Sequence, residues 1–143
     1  GALVTIYDDS SKTTTLASDT SLSSGAYTTV YASGEFLEDG NPYYIFVDRV
    51  LFLPTDVLSV TLNTSPLTSL NLLNLLGGDG TDNDVIDVLD ASCIGSAYGG
   101  STNMCTGGAG ADSDVNGDGI VNIYDLTLMG GNFNKTSSPW TPQ

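Results

Sequence analysis

The chain has 143 residues, enough for one ordinary domain or two small ones. Seventeen acidic residues against three basic ones leave a net charge of −14, which argues against nucleic acid or an anionic membrane surface as partner. With no histidine, Ser-His-Asp and Cys-His catalysis and the usual zinc sites drop out, and no phosphate loop or dinucleotide fingerprint is present.

Residues 1–76 read as short strands. Ala2–Tyr7 alternates apolar and polar, with Leu3 and Thr5 opposite Val4 and Ile6. Thr13–Thr20, Ala26–Ala32, Tyr43–Leu53 and Val57–Asn63 are rich in Thr, Val, Ile, Tyr and Phe. Turn residues separate them at Asp8–Ser11, Ser23–Gly25, Glu38–Pro42, Asp48-Arg49 and Ser65-Pro66. This spacing predicts an antiparallel sandwich of six strands. Leu67–Leu76 is either a buried helix turn or a last strand. Gly77-Gly78 marks the boundary between a domain over 1–77 and another over 78–143.

Beyond that boundary two acidic loops repeat at an offset of 35 residues, from Asp79 to Asp114. Residues 114–125 read DVNGDGIVNIYD. Oxygen-bearing side chains occupy positions 1, 3, 5, 9 and 12 (Asp114, Asn116, Asp118, Asn122, Asp125), Gly119 takes the sharp turn, and Ile120 can offer only its backbone carbonyl. That is the ligand spacing of an EF-hand-type calcium loop, and a hard cation wanting six to eight oxygens suits it. Residues 79–90 read DGTDNDVIDVLD, giving Asp79, Thr81, Asn83, the Val85 carbonyl, Asp87 and Asp90 in the same register. Thr81 is a neutral ligand and Asp84 stands at the Gly position, so the first loop is expected to bind more weakly. The similarity runs on: Ile94-Gly95 matches Met129-Gly130, and Tyr98 matches Phe133. Two calcium ions are expected, and the crowded carboxylates predict folding coupled to metal in this half.

Cys93 falls in the first expected helix and Cys105 in the Gly-rich connector Gly99–Gly110. An even count in an extracellular chain favours a disulfide, whose loop of about a dozen residues contributes about 2–3 kcal/mol; the alternative is two reduced thiols. Scarce Lys and Arg and abundant Ser and Thr suit an extracellular setting, where millimolar calcium fills weak sites. No signal segment or apolar run of transmembrane length is present, and the opening at Gly1 without Met reads as a processed or excised form.

Glu35, Glu38, Asp39 and Asp48 can be cast as a glycosidase pair, but the first three sit in or beside a turn and a solvated loop is the better reading. Tyr27, Tyr31, Tyr43 and Tyr44 are candidates for a sugar-stacking platform, against packing or interface roles. Asn63-Thr64-Ser65 and Asn134-Lys135-Thr136 match the N-glycosylation sequon. The Ser/Thr-dense segment 10–24 is open to O-linked sugars or to plain strand and turn.

The duplicated loop–helix unit, with Asp closing each loop, resembles the type I dockerin module over about residues 78–140. That resemblance implies docking to a cohesin partner, with contacts near Ala91-Ser92 and Leu126-Thr127. It also implies that Trp140 in Ser137-Ser138-Pro139-Trp140 either clasps back on the first loop or belongs to a free tail. The Ser24-Gly25-Ala26-Tyr27 and Asn41–Val47 segments resemble a carboxypeptidase-regulatory or Cna B-type sandwich. Members of that type usually carry one more strand ahead of Gly1–Tyr7, so either a strand from another copy fills the gap or the sandwich closes differently with its six strands. The expected fold is mostly β with a small α part: an immunoglobulin/prealbumin-like antiparallel sandwich followed by a dockerin-like calcium module. The expected function is a non-enzymatic, calcium-stabilised extracellular subunit, bacterial by resemblance, that assembles with copies of itself into a fibre or scaffold. The runner-up is an adapter that docks a cohesin-type partner.

Overall fold

A computed structural model describes residues 1–21, 40–56, 58–61 and 74–139. The expected strand 26–32, most of the 67–76 segment, Tyr27, Tyr31, Glu35, Glu38, Asp39, the Asn63 sequon and Trp140 lie outside the described residues. The chain forms two units that do not follow one cut in the sequence. One comprises Gly1–Asp48, Thr55–Asn74 and Pro139–Gln143, the other Arg49–Pro54 and Leu75–Ser138.

The first unit holds a four-stranded antiparallel sheet of β1 (Leu3–Tyr7), β2 (Thr15–Thr20), β3 (Pro42–Asp48) and β4 (Leu58–Thr61), in the order β2-β1-β3-β4. Alternation drives β3: Tyr43, Ile45 and Val47 are buried and the residues between them less so. On β1, Val4 faces Val47, and Ile6 faces Ile45 on one side and Ala17 on the other. All five of these side chains are buried, and such cross-strand pairs are what hold a sheet together. Thr5 is buried on the opposite face, as befits an interior strand. The β1–β2 connection is tied by Asp9, whose carboxylate accepts from the hydroxyls of Ser11 and Thr13. Those bonds hold its carboxyl well below the usual carboxylate range.

Four of the expected strands form one antiparallel sheet; the expected strand 26–32 and most of the 67–76 segment lie outside the described residues. The topology corrects one expectation: the gap beside the first strand is absent, because β1 pairs along its length with both β2 and β3. Alternation within a strand reports which face is buried, not where the strand sits in the sheet.

The strand expected over Tyr43–Leu53 ends at Asp48. Arg49 and Phe52 form an isolated antiparallel bridge, the Phe52 amide donates to the Arg49 carbonyl at 3.0 Å, and Leu51 takes a positive φ of 68°. A left-handed Leu is strained. The turn is held because Leu53 then enters the core of the second unit with no exposed surface, and the Leu51 carbonyl receives the amides of Gly78 and Asp79.

The second unit is built on α1 (Val88–Ser96) and α2 (Ile123–Gly131), nine residues each. Helices this short are marginal alone. They are held by caps and by a shared core of Leu53, Ile86, Ile94, Ala97, Val115, Val121 and Met129. Burying each such large side chain contributes about 1.5–3 kcal/mol. The 35-residue repeat is visible atom by atom. Ile94 and Met129 occupy equivalent buried places, and Gly99 and Asn134 both take positive φ after their helices. The two halves also interlock reciprocally. Ile86 of the first loop exchanges backbone hydrogen bonds with Asn134 and Lys135 after α2, and Val121 of the second loop does so with Gly99 and Gly100 after α1.

Candidate functional site

The two loops lead directly into the two helices, and the same side chains serve both. Asp87 and Asn122 are N-caps, accepting from the amides of Leu89 and Tyr124 at 2.7 Å each. Asp90 and Asp125 complete the capping boxes, accepting from the amides of Asp87 at 2.7 Å and Asn122 at 2.8 Å. Their second oxygens reach across the loops, to the Thr81 amide at 2.9 Å and the Asn116 amide at 3.2 Å. Asp90 takes a third bond, from the Thr81 hydroxyl at 2.9 Å. Both carboxylates have no exposed surface. A buried carboxylate is costly without partners, and here the loop backbone supplies them.

The first residue of each loop organises the turn. Asp79 accepts from the amides of Asn83 and Asp84 at 3.1 and 2.8 Å, and Asp114 from those of Asp118 and Gly119 at 3.1 and 2.7 Å. Asn83 and Asp118 accept from the amides two residues on, Val85 and Ile120, at 3.0 and 2.9 Å. The backbone follows the expected handedness. Gly117 and Gly119 have φ of 75° and 90°, and Asp82 and Asp84 take the same region at 53° and 65°. Asp is among the few side chains that tolerate it.

The expected ligand side chains are hydrogen-bonded within their own loops: Asp79, Thr81, Asn83, Asp87 and Asp90 in the first, and Asp114, Asn116, Asp118, Asn122 and Asp125 in the second, where the Ile120 carbonyl accepts from the Asn122 side-chain amide at 3.0 Å. The donors are all oxygens, which is the chemistry of a hard cation, and carboxylate oxygens retain lone pairs beyond these bonds. Among the described residues, no group of three His, Cys, Asp or Glu side chains converges as a ready-made cage. Burial pushes the Asp79 carboxyl up; the amides of Asn83 and Asp84 oppose this, and the charges of Asp90 and Asp82 add to it.

Cys93 and Cys105 form a disulfide, with Cα atoms 4.8 Å apart. It ties α1 to the Gly-rich connector beside a groove lined by Thr81, Asn83, Leu89, Ser92, Met104 and Thr106. Sequence reasoning overlooked three polar residues here. Ser113 is fully buried and accepts from the Met104 amide at 3.0 Å. Asp82 accepts from the Gly110 amide at 3.0 Å, and Ser138 bridges the Leu76 amide and Leu53 carbonyl. A long-range partner leaves no local pattern in sequence, so none of the three was detectable. The proposed tyrosine platform fails at Tyr43, which is buried on the opposite face of β3 from Tyr44. Asn134 of the second sequon lies exposed in a turn.

No protein-family model matches the chain, and no curated protein does. Solved structures do. One is an N-terminal interface mutant of a type II cohesin–X-dockerin complex from Acetivibrio cellulolyticus, 22% identical, with a TM-score of 0.64 over 96% of this chain and 83% of that one. A C-terminal interface mutant of the type II complex from the same organism is 20% identical, with a TM-score of 0.63 over 95% and 83%. At this identity the likeness is one of fold. It corrects the family expected from sequence: the chain is not matched to a type I dockerin following a Cna B-type sandwich, and its neighbours are type II cohesin–X-dockerin complexes. The earlier resemblance rested on ligand spacing and strand pattern, which set local geometry rather than family membership.

Proposed function

We propose that this chain is a non-enzymatic docking component of an extracellular assembly of the cohesin–X-dockerin kind, and that calcium in both loops orders its second unit. The observation that supports docking is the fold likeness, which spans nearly the whole chain and runs to complexes that exist to dock. Calcium rests on the loops themselves. Asp79, Thr81, Asn83, Val85, Asp87 and Asp90 would hold one ion, and Asp114, Asn116, Asp118, Ile120, Asn122 and Asp125 the other. The ion would supply charge neutralisation and loop order, not chemistry. An extracellular setting fits both halves of this reading, and among the described residues no helix is long and apolar enough to cross a membrane.

Self-assembly into a fibre is the second reading; β1, the strand expected to carry it, is paired on both sides, so contacts between copies would fall on other surfaces. The test covers both cases. The full chain is mixed with type II cohesin and, separately, with type II X-dockerin in millimolar calcium, and is run alone, by sedimentation velocity. A complex with one of the two modules that dissociates on chelation is the expected result. A chain that binds neither and stays monomeric would overturn the docking reading; a chain that polymerises alone would restore self-assembly.

A further inference from the structure

The connector between the two loops is more than a spacer. Three hydrogen bonds fasten it to the first loop: the Gly108 amide to the Thr81 carbonyl at 2.8 Å, the Gly110 amide to the Asp82 carboxylate at 3.0 Å, and the Asp112 amide to the Gly80 carbonyl at 2.9 Å. The approach is so close that only glycine fits. A Cβ at Gly107 would lie 1.9 Å from the Thr81 carbonyl oxygen, and one at Gly108 2.3 Å from that of Asp82. The disulfide adds a covalent tie, joining Cys105 to Cys93, three residues beyond the buried Asp90.

The same segment then runs straight into the second loop. Ser113 touches both sulfurs, at 3.6 Å from Cys93 and 3.4 Å from Cys105, and precedes Asp114 directly. Asp112, whose amide binds the first loop, accepts through its side chain from the Asp114 amide at 3.2 Å. Asp114 in turn gathers the amides of Gly117, Asp118 and Gly119. A continuous chain of bonded neighbours thus runs from the first loop to the residue that organises the second.

We infer that this disulfide-tied, Gly-rich connector couples the two loops, so that filling the first with calcium raises the affinity of the second. The inference rests on the calcium reading above. Its physical basis is that a connector fixed by an ordered first loop leaves less freedom for the second to lose. Coupling of this kind typically changes affinity by about fivefold or more.

The test is a calorimetric titration of calcium alone into the metal-stripped full chain, comparing Asp79→Ala, Gly108→Ala and the double variant. Asp79→Ala removes a first-loop ligand and is expected to weaken the second loop about fivefold or more. In the Gly108→Ala background, where the connector is pushed off the loop, the same substitution should change it by less than about twofold, the limit for independent sites. An unchanged second loop in Asp79→Ala, or an equal effect in both backgrounds, overturns the inference. If Gly108→Ala does not fold by far-UV circular dichroism, Cys93→Ser with Cys105→Ser replaces it. If the wild-type chain takes up no calcium, the calcium reading falls, and hydrogen exchange of the metal-free chain decides whether the connector links the loops. Loosening the connector should then speed exchange at the Asn116 and Gly119 amides several-fold; unchanged exchange overturns the link as well.

Discussion

Asp90→Ala isolates how far the loop backbone depends on one buried carboxylate. Asp90 has no exposed surface and accepts three bonds: the Thr81 amide and hydroxyl at 2.9 Å each and the Asp87 amide at 2.7 Å. Truncation leaves these donors without their acceptor, two of them on the buried Thr81. A stranded buried donor costs about 1–3 kcal/mol, and the water that enters a cavity of this size satisfies some of them. A loss of about 3–5 kcal/mol is therefore expected in metal-free buffer. Asp125→Ala strands two donors, the amides of Asn116 and Asn122, and should cost about 1 kcal/mol less. The assay is urea unfolding with chelator present, followed at 222 nm, because both helices belong to the second unit. A loss below about 1 kcal/mol for Asp90→Ala, or a larger loss for Asp125→Ala, would refute the reasoning.

Three further outcomes are expected. Ser138→Ala strands the Leu76 amide and the Leu53 carbonyl around a side chain with no exposed surface, so it should cost about 1–3 kcal/mol, read from the urea midpoint; no change would show that the bridge contributes nothing. Without calcium, the raised Asp79 carboxyl means the folded state holds this proton more tightly than the unfolded state. Its contribution is fully present below the ordinary carboxylate range and is lost as pH rises through the raised folded value, so helix stability should fall as pH rises above about 4, and Asp79→Asn should flatten that slope. Asp114→Ala or Asp118→Ala should abolish the stabilisation that millimolar calcium gives the second loop, measured as the shift in Tm on chelation; an unaltered shift in both variants would contradict calcium at that loop.

The sequence carried what is local. Alternation placed β1 and the start of β3, and the 35-residue offset paired Asp79 with Asp114, Asp90 with Asp125 and Ile94 with Met129, pairs that prove equivalent in hydrogen bonding or burial. The Asp84 backbone was legible too, since a loop needing Gly at that position forces its substitute to positive φ. What depended on distant partners was not legible. Nothing near Leu51 marks it as a turn, because its strain is offset by Leu53 and the Gly78 and Asp79 amides far along the chain. The interior place of β1 was hidden for the same reason: its β3 partners lie some forty residues away, and pairing register is set by the whole sheet. Ligand spacing in turn fixed donor chemistry but not family, which is why the dockerin type was misjudged.

On the reading proposed above, calcium held in two oxygen-lined loops orders a docking unit. Calorimetric titration of calcium into the metal-stripped chain tests it most directly. Two ions per chain, with one lost in Asp114→Ala, is the predicted result. A flat titration at millimolar calcium would contradict the claim.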